Sequence, residues 1–347
     1  MLLHGIFPPI TTPFYPDGKV YFRKLESNVA RYSKTPVAGL VVLGSTGEAI
    51  LLSDDEQREV LRAAREAAAP EKVLIAGTGS ESATETLRLT EHAATLGYDV
   101  AMVRTPHYYK AQMKPENMLA FYRTVADRSP LPVIIYNFPP NTGYDIPAEV
   151  VIALAEHPNL IGIKESGGDI NKVKAMVTAT RHVQRTVAVT EIFEAVTGRM
   201  KAAPAAAGAN MVPASALGHV AVAAPPATLK TRTKDVGFQV MVGSAHLLYS
   251  MLEAGAVGAI LAFADCAPTA CFEIYTAWKD NDVDLAREKQ ERIRQASLKV
   301  VGEFGVPGLK HALDFNGYYG GPPRLPLLPP TAEVKAEIER LLENIRN

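Results

Sequence analysis

Cysteine is nearly absent: the 347 residues include only Cys266 and Cys271, five positions apart in an apolar stretch. Two such thiols read as small buried hydrophobes, which argues against a disulfide framework or a thiolate metal site and fits a reducing cytoplasmic compartment. Excess charge of either sign is lacking too, with 36 Lys and Arg against 37 Asp and Glu. No basic stripe calls for nucleic acid, and no acidic run forms a tail. No window approaches the ~18 uninterrupted apolar residues of a membrane span. The opening Met1-Leu2-Leu3-His4-Gly5-Ile6-Phe7 has no basic leader before a long apolar segment, so no targeting peptide is expected.

Chemistry-bearing motifs are missing as well. None of the strand-like runs is followed by G-x-G-x-x-G, which weakens a dinucleotide-binding reading. The eight histidines are scattered without His-x-His or His-Glu-x-x-His, so no metal is expected, and a nucleophilic serine lacks its Gly-x-Ser-x-Gly elbow.

What is present is a rhythm. Short apolar runs recur at Gly5 to Ile10, Gly39 to Leu43, Val73 to Ala76, Val100 to Val103, Val133 to Tyr136, Leu160 to Ile163, Phe238 to Val242 and Ala256 to Ala262. The connectors are helical in pattern, as in Ser53-Asp54-Asp55-Glu56, an N-cap followed by a first turn rich in acid. Eight such pairs predict an α/β fold, a (β/α)8 TIM barrel over residues 1–280. Residues 281–347 follow as a C-terminal helical region, in which Gly305-Val306-Pro307-Gly308 and Gly317 to Pro323 read as turns. Residues 181–232 break the rhythm with Ala, Pro and Val. They join the sixth strand's helix to the seventh strand, and are expected to be a poorly ordered, catalytically silent insertion on the N-terminal face.

In a parallel barrel the C-terminal strand ends meet at one mouth. Those positions carry Thr11-Thr12, Gly44-Ser45-Thr46-Gly47-Glu48, Thr105-Pro106-His107-Tyr108-Tyr109, Tyr136 to Gly143, Lys164-Glu165-Ser166 and Gly243-Ser244-Ala245. The mouth is rich in hydroxyls around one lysine. An ammonium in a buried strand is costly, and burial lowers its pKa, so Lys164 is a candidate amine nucleophile for a carbonyl. A plainer alternative has Lys164 leaving the strand end to pair with Glu165. Tyr136 is suited to shuttle protons during imine formation. The glycines beside Ser45 and Thr46, Gly47 among them, let main-chain amides approach an anion. The same loop could instead be a helix entry, Tyr108 and Tyr109 could be core or interface aromatics, and Asn141-Thr142-Gly143 could be turn chemistry.

In order and spacing, Gly44 to Glu48, Tyr136-Asn137-Phe138-Pro139-Pro140-Asn141-Thr142-Gly143 and Gly162-Ile163-Lys164-Glu165-Ser166 resemble the signatures of the dihydrodipicolinate synthase and N-acetylneuraminate lyase family. The resemblance runs from about Gly5 to the C-terminus outside the insertion. It implies a barrel with a helical C-terminal region, a class I aldolase acting on pyruvate or a related 2-oxo acid through a lysine Schiff base, no cofactor, and a homo-oligomer built from dimers. Position by position, it implies that Lys164 forms the imine and that Tyr136 shuttles protons. Thr46 with Ser45 would hold the substrate carboxylate, and Tyr108, with Tyr109 as alternative, would be a second tyrosine that can complete a neighbouring subunit's site. Gly47, Ser166, Asn141 and Gly243 would line the substrate pocket. Synthases of the lysine precursor carry an arginine where this chain has Asn141, and an asparagine cannot clamp a second carboxylate in the same bidentate way. With Pro158 to Gly162 and Phe304 to Lys310, that position looks closer to the 4-hydroxy-2-oxoglutarate aldolase branch. Retro-aldol cleavage of 4-hydroxy-2-oxoglutarate to pyruvate and glyoxylate is therefore the expected reaction. The alternatives are condensation of pyruvate with aspartate semialdehyde and a non-catalytic barrel that binds a 2-oxo acid.

Overall fold

A computed structural model describes residues 1–202 and 229–345. Eight parallel strands form one sheet: β1 (Gly5–Phe7), β2 (Gly39–Val42), β3 (Val73–Gly77), β4 (Val100–Arg104), β5 (Val133–Asn137), β6 (Leu160–Glu165), β9 (Gln239–Val242) and β10 (Gly258–Ile260). Strand β1 pairs with β10 at one edge and meets β2 through a parallel Pro9 to Val41 bridge, so the sheet curls into the expected (β/α)8 barrel.

Strand alternation sorts the core into two shells. Phe7, Val41, Ile75, Met102, Ile134, Tyr136 and Met241 fill the barrel interior, while Leu40, Val42, Leu74, Val103, Ile135 and Ile163 face the surrounding helices. Helix starts follow their local chemistry: Ser53 and Glu56 make a reciprocal capping box on Asp54–Ala67, and Ser82 caps Ala83–Leu96, which ends on left-handed Gly97.

Two regions differ from expectation. Gly305-Val306-Pro307 opens a helix, Gly305–Phe315, rather than a turn. Proline is compatible with a first helical turn, where an amide donor has no intrahelical partner to lose. The insertion is also more structured than its composition suggested. Its arms form an antiparallel ribbon of β7 (Arg185–Thr190) and β8 (Thr231–Val236), in register from Arg185 opposite Val236 to Thr190 opposite Thr231. A short helix, Gly198–Ala202, follows β7. This unit docks under the barrel: Thr197 Oγ1 donates to Pro70 O at 2.6 Å, Gly198 N donates to Asp99 Oδ1 at 3.0 Å, and the Arg199 guanidinium donates to the carbonyls of Ala68 and Lys72. Arg185 Nη2 likewise donates to Ala155 O, His157 O and Leu160 O. These partners sit at or before strand starts, so the ribbon occupies the N-terminal face, opposite the mouth. The middle of the insertion, 203–228, lies outside the described residues.

Candidate active site

Lys164 and Tyr136 stand directly opposite one another on neighbouring strands β6 and β5. Both side chains point into the barrel, and Lys164 Nζ lies 4.1 Å from the centroid of the Tyr136 ring. The lysine is 5% exposed, and burial brings its pKa down from 10.5 to about 7, the nearby Asp265 opposing that shift. Glu165, the next residue, faces the other way. It accepts from Asn137 Nδ2 at 3.0 and 2.9 Å and from Gly167 N at 2.6 Å, and pairs with Lys172 at 3.1 Å. The period of two in a strand therefore rules out a Lys164–Glu165 pair and leaves the amine aimed at the cavity.

Tyr136 stacks on Phe138 with centroids 5.8 Å apart, and its hydroxyl lies 3.3 Å from Ser45 Oγ. Burial holds the phenol proton more tightly than usual, against a smaller opposing effect of the Ser45 hydrogen bond. Ser45–Gly47 is one turn of 3-10 helix after β2, closed by Glu48 in the left-handed region at φ 54°. The helix-entry reading of this loop is thus half right: its backbone is a helical turn, but Ser45, Thr46 and Glu48 line a cavity of about 980 Å³.

That cavity also takes in Lys164, Tyr136, Asn141, Ser166 and Gly243. Ser166 Oγ is buried without a hydrogen-bond partner, and a Cβ on Gly243 would lie 2.1 Å from it, so any larger residue there must displace Ser166. Asn141 sits in the short helix Pro139–Thr142, capped by left-handed Gly143, so turn chemistry and cavity lining coincide. The segment Leu298–Glu303, a π-helix continuing Val283–Ser297, forms the outer wall with Val306 and Pro307. Among the described residues lining the cavity there is no arginine.

Three predicted site residues stand elsewhere. Tyr108 and Tyr109 are 75% and 66% exposed, packed edge to face on each other at 5.2 Å, and line no part of this cavity. The loop is held by Glu81, which accepts from the His107 and Tyr108 amides, so the pair projects outward. Gly47 lies behind the wall, its carbonyl accepting from Thr12 Oγ1 at 2.6 Å.

Two groups were not singled out from sequence. Asp265 is fully buried, neither carboxylate oxygen has a hydrogen-bond partner, and desolvation pushes its pKa well above the usual carboxylate range despite the attraction of Lys164. An acid between Ala264 and Cys266 in an apolar stretch was the available signal. Lys310 is also fully buried and pairs with Glu48 at 2.5 Å. Its signal in the sequence is weak, because Gly305-Val306-Pro307-Gly308 at the start of its helix has the composition of a turn.

A (β/α)8 barrel with a desolvated lysine at the end of its sixth barrel strand and a tyrosine beside it defines a barrel suited to carbonyl chemistry. The chain belongs to the dihydrodipicolinate synthetase family, whose model matches residues 2–189 and 225–345 and passes over the centre of the insertion. It is 28% identical over 341 residues to the 4-hydroxy-tetrahydrodipicolinate synthase of Methanothrix thermoacetophila, covering 98% of this chain and 96% of that one. It is 30% identical over 359 residues to the "Probable 4-hydroxy-2-oxoglutarate aldolase, mitochondrial" of Emericella nidulans, covering 99% and 98%. Among solved structures, YagE, an E. coli K12 prophage protein of the dihydrodipicolinic acid synthase family in complex with pyruvate, superposes with a TM-score of 0.77 at 26% identity, covering 99% of each chain.

Proposed function

We propose that this protein is a class I aldolase that cleaves a 4-hydroxy-2-oxo acid to pyruvate and an aldehyde, with 4-hydroxy-2-oxoglutarate and its product glyoxylate as the first pair to test. The observation that carries this reading is the Lys164 amine, buried and partly deprotonated at neutral pH, packed on the Tyr136 ring. The neutral amine attacks the C2 carbonyl, and Tyr136, protonated at the start, gives its proton to the departing hydroxyl as the carbinolamine becomes an iminium. The resulting phenolate takes the proton of the 4-hydroxyl. The C3–C4 bond then breaks, its electron pair flows into the iminium to give an enamine, and the aldehyde leaves. Protonation at C3 and hydrolysis release pyruvate and restore the amine. Ser45 and Thr46 hold the carboxylate, and no cofactor is required.

Two observations bear on the second half of the substrate. The curated relatives include both synthases and an aldolase. Asn141 and the lack of a lining arginine among the described residues favour cleavage over condensation with aspartate semialdehyde. Condensation is the second reading, supported by the synthase relatives. Borohydride reduction with pyruvate should modify Lys164, and parallel assays should show 4-hydroxy-2-oxoglutarate cleavage outpacing condensation. Faster condensation reverses the choice of reaction, and no adduct with pyruvate reduces the protein to a binding barrel. The outward Tyr108–Tyr109 pair supports a homo-oligomer, a dimer or dimer of dimers, which sedimentation can test.

A further inference from the structure

Glu48 and Lys310 form an enclosed ion pair in the wall beside the Ser45–Gly47 turn. Glu48 is 2% exposed and lines the cavity two residues after Thr46. It holds a left-handed backbone at φ 54°, which side-chain-bearing residues seldom adopt. Lys310 reaches it from the helix Gly305–Phe315. Its Nζ donates to Thr12 O at 2.9 Å and Pro322 O at 3.0 Å, and lies 4.4 Å from the Phe14 ring centroid. The other Glu48 oxygen, Oε2, accepts from Arg324 N at 2.8 Å. These partners hold the ammonium in the wall, and none of them takes part in the proposed chemistry.

We infer that Glu48 and Lys310 are positioning residues that keep the wall of the carboxylate subsite electrically neutral, so that a 2-oxo acid enters the cavity as its anion. This rests on the carboxylate-binding role given above to Ser45 and Thr46. A lone carboxylate at Glu48 would share a low-dielectric cavity with the substrate carboxylate and repel it. Lys310 cancels that charge from behind without presenting a competing cation. The pair also ties the turn to the C-terminal helices, but only the electrostatic role is selective for the charge of the ligand.

The test is the concentration of pyruvate, and separately of methyl pyruvate, that gives half-maximal borohydride trapping at pH 8.5. Lys310→Met should raise the pyruvate value on the order of tenfold, as like charges in one site do, and leave the neutral ester nearly unchanged. Adding Glu48→Gln to that variant should bring the pyruvate value back to within about threefold of wild type, since both charges are then gone. Equal losses for pyruvate and ester, or no rescue in the double variant, would overturn the inference. If Lys310→Met does not fold, Glu48→Gln alone decides the matter. It keeps an acceptor for the Arg324 amide and removes the carboxylate paired with Lys310, so the pyruvate value should stay level or fall, and a rise in both values would overturn the inference. Trapping in wild type with an unchanged pyruvate value in Lys310→Met removes this inference alone. No trapping in wild type removes the Schiff-base reading and this inference with it.

Discussion

Replacing Lys164 with methionine should abolish adduct formation and at the same time make the protein more stable. An unfolded lysine holds its proton up to about pH 10.5, whereas burial lets Lys164 hold one only up to about pH 7. The folded state therefore carries a penalty that is complete at and below pH 7 and fades as the pH rises to 10.5. A gap of this size corresponds to about 5 kcal/mol as an upper bound. Relaxation around the charge and imperfect packing of the new side chain reduce the expected gain to roughly 2 to 4 kcal/mol. Urea denaturation of both proteins at pH 6.5 and pH 9 measures it: the advantage of Lys164→Met should be larger at pH 6.5. The same displacement predicts that trapping of wild type by pyruvate rises with pH to a midpoint near 7, because the neutral amine attacks. An unperturbed lysine would be about 1,600-fold less deprotonated at pH 7. A midpoint near 10, or a methionine variant less stable than wild type at pH 6.5, would refute the desolvated amine.

Tyr136→Phe keeps the ring beneath Lys164 and removes only the hydroxyl that lies 3.3 Å from Ser45 Oγ. Slow adduct formation should persist while turnover falls by roughly 100-fold or more, and wild-type turnover would remove Tyr136 from the mechanism. Gly243→Ala puts a methyl 2.1 Å from Ser166 Oγ, so it should displace that hydroxyl and weaken the half-saturation of trapping, and an unchanged value would show that the wall yields there. Arg199→Ala, under the barrel, should cost about 2 kcal/mol in urea denaturation by leaving the Ala68 and Lys72 carbonyls short of a donor, while turnover at the opposite face stays at wild type. Loss of activity with retained stability would contradict the silent role given to that face.

The sequence by itself determined the eight strand runs, most helix starts and the Lys164, Tyr136 and Ser45–Thr46 constellation, because strand ends and caps are local and the barrel gathers its C-terminal ends at one mouth. It left open whether Lys164 paired with Glu165, a question decided by the alternation that turns Glu165 towards Asn137 and Lys172. It misread residues 305–308 and the arms of the insertion. Glycine and proline tolerate a first helical turn as readily as a loop, and the ribbon depends on pairing across a gap of some forty residues, Arg185 with Val236 and Thr190 with Thr231. Tyr108 and Tyr109 carried a motif but no direction, and only the packed loop sends them outward, away from the chain's own cavity. The Glu48–Lys310 pair lies furthest from local reading, since 262 residues separate its partners and only the docking of the C-terminal helices brings ammonium and carboxylate together. Patterning fixes which atoms are near in the chain, whereas charge, desolvation and hence reactivity are set by what the fold packs around them.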